Sequence, residues 1–335
     1  MTNSMTVHSG LQQATGSGIT LADIRAAHVR IKPRIHRTPV LTSASLNEIA
    51  GAQLFFKCEN LQKTGSFKIR GATNAVFSLT DEEARYGVAA PSSGNHAAAL
   101  SHAARWRGIP AYIVMPSNSS AVKMDAVRSY GGQITECEPN VGARETASAE
   151  LIRRTGAHLV HPYNDKRVIA GQGTAAIELL EEIPDLDVIM TPASGGGLLS
   201  GTAIAAKGLR QNIRVVGGEP LNADDAYRSL KSGKIEGAAS EETIADGLRA
   251  TLCPLTFSIL REHVDEISRV SEEEIVKAML LLWERMKIVV EPSGAVAAAP
   301  ALCGKISASG KKIGIILSGG NVDLRNLPFS TGASR

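Results

Sequence analysis

Several signatures are missing from this 335-residue chain, and each absence removes a class of function. No long basic run accompanies the formal net charge of +3, so neither nucleic acid nor an anionic membrane is expected as a partner. No apolar run approaches the roughly 18 residues of a membrane-spanning helix. The segment 1–18 lacks the charged-then-apolar pattern of a signal peptide and reads as a flexible tail. Four cysteines, Cys58, Cys137, Cys253 and Cys303, form no CxxC pair and are expected as buried free thiols in a cytoplasmic protein. There is no GKS or GKT and no GxGxxG after the first strand, which argues against a nucleotide hydrolase and an NAD dehydrogenase. No GxSxG elbow surrounds Ser93, and Ser93 and His96 are only three residues apart, which weakens a Ser-His-Asp hydrolase. No fixed-period repeat or low-complexity stretch occurs.

What is present is ordinary globular material, 43% hydrophobic and 21% charged, enough to bury a sizeable core. Short apolar runs alternate with helical patterns. Strands are expected at 54–57, 88–90, 111–115, 134–137, 158–160, 188–190, 214–216, 267–270 and 313–317. Helices are expected between them, including 95–106, 143–155, 173–182, 198–208 and an alanine-rich 293–302. Ser271 and Glu274 form a capping box for an amphipathic helix marked by Ile275, Met279, Leu282 and Met286. This alternation means parallel sheet with crossover helices, an α/β fold. The short strands at 88–160 suggest a small mobile domain at 81–165, inserted in a large domain made of 19–80 and 166–335.

In such a sheet, ligands gather where strand ends meet helix starts. Lys68, in Lys63-Thr64-Gly65-Ser66-Phe67-Lys68-Ile69-Arg70-Gly71, sits at a loop-to-helix junction. A desolvated amine there suits Schiff-base chemistry, and a solvated lysine fits the same stretch. Ser194-Gly195-Gly196-Gly197-Leu198 opens a helix after a strand. Bare amides at a helix N-terminus cradle phosphate, although glycines also serve tight turns. Ser92-Ser93-Gly94-Asn95-His96 and Ser318-Gly319-Gly320-Asn321 follow two further strands. Glu219, Asp224 and Asp225 crowd one loop, which is either a solvated acidic turn or a seat for a hard divalent ion. His102 and His161 read as structural, and Trp106 and Trp283 as core or interface.

Together with Thr243-Ile244-Ala245-Asp246-Gly247 and Glu291-Pro292-Ser293-Gly294-Ala295, these motifs resemble the fold-type II pyridoxal-phosphate enzymes, and the serine racemase / serine-threonine dehydratase branch most closely. The match runs in order from about residue 20 to 328. It implies a tryptophan-synthase-β-like fold, with two open, twisted, mostly parallel sheets in a large and a small lobe.

The resemblance also implies roles. Lys68 forms the Schiff base to pyridoxal 5'-phosphate and moves the α-proton on one face, with Ser93 as the acid/base on the other. Ser194, Gly195, Gly196, Gly197 and Leu198 hold the phosphate. Asn95 meets the cofactor's 3-hydroxyl, Ser318 its pyridine nitrogen, and Phe67 and Gly247 flank the ring. Ser92, Ser93, Asn95 and His96 meet the substrate carboxylate. Glu219, Asp225 and the Ala223 carbonyl match a divalent-cation site for Mg2+, Mn2+ or Ca2+. Arg144 matches an arginine directed at the substrate or a second carboxylate; a surface arginine is the other reading. The implied reaction is loss of water and ammonia from L-serine, L-threonine or 3-hydroxyaspartate, with serine or aspartate racemisation as the alternative. A homodimer is implied. The chain ends near 335, so no regulatory domain and no feedback control by isoleucine are expected. Ser194 replaces a frequent fourth glycine, so its hydroxyl is expected to join the phosphate contacts.

Overall fold

A computed structural model describes residues 18–329 apart from Ser120 and Glu241; the expected tail at 1–18 therefore lies almost wholly outside the described residues. Two sheets organise the chain. The larger takes β1 (Val40–Leu41), β2 (Gln53–Cys58), β7 (Val188–Pro192), β8 (Arg214–Pro220), β9 (Glu266–Val270) and β10 (Lys312–Leu317). The smaller takes β3 (Val88–Pro91), β4 (Ala111–Pro116), β5 (Gly132–Cys137) and β6 (His158–Leu159). Strand order is β1-β2-β10-β7-β8-β9 in the first and β5-β4-β3-β6 in the second. Among the strands of the described residues β1 alone runs antiparallel, and the other strand pairings are parallel.

The central strands are continuous apolar runs because helices cover both faces. All of β7 and five of the six residues of β10 are buried. Leu54, Phe56, Val188, Ile313 and Ile315 fill one side against the helix Glu272–Met286, and Ile189, Val215 and Ile316 fill the other against Lys166–Glu182 and Gly197–Leu209. The last two helices cross at Gly173 and Gly201. A methyl on Gly173 would stand 2.6 Å from the Gly201 carbonyl oxygen, so only glycine permits this approach. The crossing fixes the start of Gly197–Leu209, where the glycine loop ends.

Local signals account for most helix starts. Thr20 and Asp23 close a capping box on Leu21–Ile31, and Ser271 and Glu274 close another on Glu272–Met286. The expected helix at 173–182 begins earlier, at Lys166, because the Asp165 carboxylate accepts the Arg167 and Val168 amides. The expected helix at 293–302 is instead two short helices, Pro292–Ala295 and Ala299–Leu302. Pro300 has no amide to continue the first, and it takes the first turn of the second. Of the cysteines, Cys58 alone is buried; Cys137, Cys253 and Cys303 are half-buried, because they lie near the ends of elements, and all four are free thiols. Among the described residues, no helix is long and apolar enough to cross a membrane.

Candidate active site

The parallel topology brings five loops to the carboxyl edge of the large sheet, as such sheets require. β2 leads to Lys68. Ser66 bridges to Gly319 beyond β10, and the Phe67 amide donates to the Ser318 carbonyl at 3.0 Å. Lys68 is the first residue of the helix Lys68–Ser78. Its Nζ is 3.4 Å from the Pro162 carbonyl and 5.0 Å from the centre of the Phe67 ring. Burial lowers its pKa to about 8, and Glu291 is the charge that works against the shift. A lysine so placed gives up its proton far more readily than one in water.

The glycine loop follows β7. Gly196 takes φ of 84° and Ser194 takes 57°, both in the left-handed region. No side chain caps the helix Gly197–Leu209, so its first amides lack intrahelical acceptors and have no side-chain acceptor in their place. The Tyr163 ring closes over this loop: a methyl on Gly195 would lie 2.7 Å from it. The cradle fits a phosphate, through backbone donors at a helix start. Leu198 is buried beneath it. The Ser194 hydroxyl turns elsewhere, toward the Gly247 and Ala250 carbonyls at 3.4 and 3.5 Å. Gly247 in turn donates to Ser293 Oγ at 3.0 Å, and Ser318 Oγ reaches the Ser293 carbonyl at 3.5 Å. Ser194, Gly247 and Ser318 are therefore linked through Ser293.

From the small sheet, the loop after β3 carries Ser92, Ser93 and Asn95, all half-buried, and delivers Asn95 across to the large sheet. Asn95 Nδ2 donates to Glu291 Oε1 at 2.8 Å, and Asn321 Nδ2 donates to Asn95 Oδ1 at 2.8 Å. The His96 ring is buried with Nε2 2.9 Å from the Val160 carbonyl. Burial, then the Lys68 charge, lowers its pKa to about 3, so the ring is neutral. That contact commits the ring nitrogen to the sheet and leaves the main chain of His96 as its means of meeting a carboxylate.

Arg144 is half-buried on the helix Val141–Thr155, and among the described residues it forms no ion pair. Burial raises the pKa of the Tyr163 hydroxyl, and Arg144 is among the charges felt there.

The acidic loop after β8 separates its three carboxylates. Asp224 pairs with Arg228 at 2.7 Å and Arg269 at 2.8 Å. Glu219 is fully buried and accepts the Ala226 and Tyr227 amides at 3.0 and 2.8 Å. Asp225 is buried with both carboxylate oxygens unpartnered. Burial raises Glu219 to about 8 and Asp225 to about 6, and Asp225 adds to the shift on Glu219. Ala223, also buried, stands in the turn between them. Unpartnered buried carboxylate oxygens fit a hard cation, which would supply the missing charge. Among the described residues no three His, Cys, Asp or Glu side chains converge, so main-chain or water oxygens would complete such a shell.

Two features escaped the sequence: Tyr163 as the cover of the cradle, and the contact of Glu291 with Asn95 over 196 positions. The five-residue motif beginning at Glu291 was the available signal for the second.

Comparisons with known proteins give the family. A family model described as pyridoxal-phosphate dependent enzyme matches residues 31–319. A beta-hydroxyaspartate dehydratase of Paracoccus denitrificans is 53% identical, over 93% of this chain and 99% of that protein. A serine racemase of Dictyostelium discoideum is 51% identical, over 92% and 97%. The solved structure of maize serine racemase superposes with a TM-score of 0.90 at 49% identity, covering 92% of this chain and 95% of that one. With a lysine of lowered pKa and a bare glycine cradle at the carboxyl edge of the same sheet, the chain belongs to the pyridoxal-phosphate dependent enzyme family, with the fold-type II architecture.

Proposed function

We propose that this protein is an ammonia-lyase acting on a β-hydroxy amino acid, L-serine, L-threonine or 3-hydroxyaspartate, and yielding a 2-oxo acid and ammonia. The observation that carries it is Lys68: an amine with pKa lowered to about 8, whose Nζ stands 3.4 Å from the Pro162 carbonyl, on the stretch that covers the glycine cradle. The dehydratase relative at 53% identity supports the choice of reaction.

The cofactor's residues are assigned as follows. Gly195, Gly196, Gly197 and Leu198 hold the phosphate by their amides, with Ser194 shaping the turn. Asn95 meets the 3-oxygen, Ser318 the ring nitrogen, and Phe67 and Gly247 lie on the two ring faces. Pyridoxal phosphate, when bound, supplies the electron sink that makes the substrate's α-proton acidic. Lys68 Nζ takes that proton. The Cα–H electrons form the Cα=Cβ bond as the Cβ–O bond breaks, and the hydroxide takes the proton held on Lys68 Nζ and leaves as water. The enamine so formed hydrolyses to 2-oxo acid and ammonia. The amides of Ser92, Asn95 and His96 orient the substrate carboxylate.

The specific role of Arg144 follows from its lack of an acidic partner. A half-buried guanidinium without an acidic partner among the described residues suits a second carboxylate, which makes 3-hydroxyaspartate the favoured substrate in this reading. The reading includes a divalent cation, magnesium first, at Glu219, Asp225 and the Ala223 carbonyl. It also includes a mobile small domain at 81–165, a homodimer and a cytoplasmic setting.

Racemisation is the second reading, favoured by Ser93 on the loop after β3 and by the serine racemase relatives. Purified protein given L-serine, L-threonine and 3-hydroxyaspartate, with and without magnesium or chelator, decides. More 2-oxo acid than opposite enantiomer supports the lyase; the reverse overturns it.

A further inference from the structure

The stretch Glu291-Pro292-Ser293-Gly294-Ala295 leaves its first residue without a task in the reaction above. Glu291 precedes the short helix Pro292–Ala295 and is pinned below the loop after β10, its amide donating to the Gly319 carbonyl at 3.0 Å. Its side chain is 5% exposed, and among the described residues no lysine or arginine pairs with it. Buried carboxylates without a cation are rare, because the charged form loses its water. Here the partner is an amide: Oε1 accepts from Asn95 Nδ2 at 2.8 Å.

The opposite end of that amide is also held. Asn321 Nδ2 donates to Asn95 Oδ1 at 2.8 Å and to the Thr64 carbonyl at 2.7 Å, in the turn that leads to Lys68. Asn95 therefore has one orientation, Nδ2 toward Glu291 and Oδ1 toward Asn321, fixed by its partners. The contact also joins the two sheets, since Asn95 follows β3 and Glu291 lies on the large-sheet side.

Three charged groups face Glu291. Lys68 comes from the helix Lys68–Ser78. Asp246 comes from the turn Asp246–Leu248, and Lys123, on the helix Ala121–Ser129, pairs with it. Burial, reinforced by Asp246, raises Glu291 to about 8, and the Asn95 bond and Lys123 offset part of that. Lys68 is lowered to about 8, with Glu291 as the one charge opposing. Glu291, when ionised, acts on the Lys68 amine as a charge that opposes the effect of burial.

We propose that Glu291 is a positioning residue of this active site, which orients the Asn95 amide toward the cofactor and whose charge bears on the Lys68 amine. The proposal rests on the pyridoxal-phosphate reading for the meaning of Asn95 and Lys68. While Glu291 is protonated it leaves the amine without an anion to stabilise its ammonium form. Once Glu291 ionises it holds the proton on Lys68.

Glu291→Gln keeps an acceptor for Asn95 and cannot ionise. Two readouts follow. The first is the rate at which cofactor-stripped protein recombines with added pyridoxal phosphate, as a function of pH. The variant's limb is expected to move toward acid by half a unit or more, about threefold in the proton affinity of Lys68. The second is the infrared band of a protonated carboxyl, read without cofactor. It is expected in the wild type at neutral pH and weaker by one carboxyl in Glu291→Gln, since Glu219 contributes to the same band. An unmoved pH curve, or a band that Glu291→Gln leaves undiminished, overturns the proposal. Should Glu291→Gln fail to fold, Asp246→Asn removes a partly exposed charge that raises Glu291, and part of the band should then titrate a few tenths of a unit lower than in the wild type. No movement there overturns it equally. A band that Glu291→Gln diminishes in a protein that never binds pyridoxal phosphate sinks the functional reading and leaves the protonated Glu291 standing.

Discussion

Arg70 and Glu178 meet through two hydrogen bonds inside the protein, Nη1 to Oε1 at 2.9 Å and Nη2 to Oε2 at 2.7 Å, with both side chains buried. The same guanidinium grips Glu59, Nε to Oε2 at 2.7 Å and Nη2 to Oε1 at 2.8 Å. Lys57 joins Glu178 at 2.7 Å and the Thr38 carbonyl at 2.7 Å. Two cations and two anions thus balance. They tie β2 and the helix Lys166–Glu182 to Arg70, two residues beyond Lys68.

Breaking this cluster on one side leaves a buried unpaired charge. Glu178→Gln is expected to cost about 3–5 kcal/mol by denaturant unfolding. The pH dependence has a definite sign. Burial would raise Glu178, but Arg70 and Lys57 outweigh it and hold the folded carboxyl at about 2, below its ordinary 4.5. The stabilisation is therefore complete above about pH 4.5 and is lost as pH falls from there toward 2. A Glu178→Gln variant whose stability matched the wild type at neutral pH would contradict this account.

Lys68→Ala should abolish the visible absorption that wild-type protein gains with pyridoxal phosphate, and all lyase turnover with it. In the wild type the recombination rate should rise with pH and level off above about 8, because the neutral amine is the nucleophile. A rate still climbing steeply at pH 10 would show an ordinary solvated lysine.

Arg144→Met separates substrates rather than proteins. If the free guanidinium reads a second carboxylate, kcat/KM for 3-hydroxyaspartate should fall about 10- to 100-fold, the range for a hydrogen bond to a charged group. That for L-serine should stay within about threefold. Equal losses for both would return Arg144 to the surface.

Magnesium should raise the melting temperature, by about 2.7 kcal/mol of linkage at 100 times its Kd, and EDTA should reverse the gain. Asp225→Asn replaces one of the two unpartnered oxygens by an amide nitrogen and removes the charge, and should erase that response. Asp224→Asn, whose carboxylate already serves Arg228 and Arg269, should retain it.

Much of the site was legible because each motif sits in one loop. Glycines before a helix, a lysine after Ser66-Phe67, and a serine at the end of β10 are local facts, and a parallel sheet delivers such loops to one edge. Secondary structure followed periodicity well where capping residues were plain. It failed at 293–302, where alanine composition suggested one helix and Pro300 divided it.

The sequence by itself determined the α/β class, the order of the loops and the identity of the chemical groups, since periodicity and turn chemistry act over a few residues. Tertiary structure alone decided which groups face one another. Asn95 finds Glu291 from 196 residues away, and Arg70 finds Glu178 from 108. Of three neighbouring carboxylates, Asp224 is taken by arginines and Asp225 is left bare. These outcomes depend on burial, which sets the cost of each charge, and burial arises only when the sheets and helices have packed.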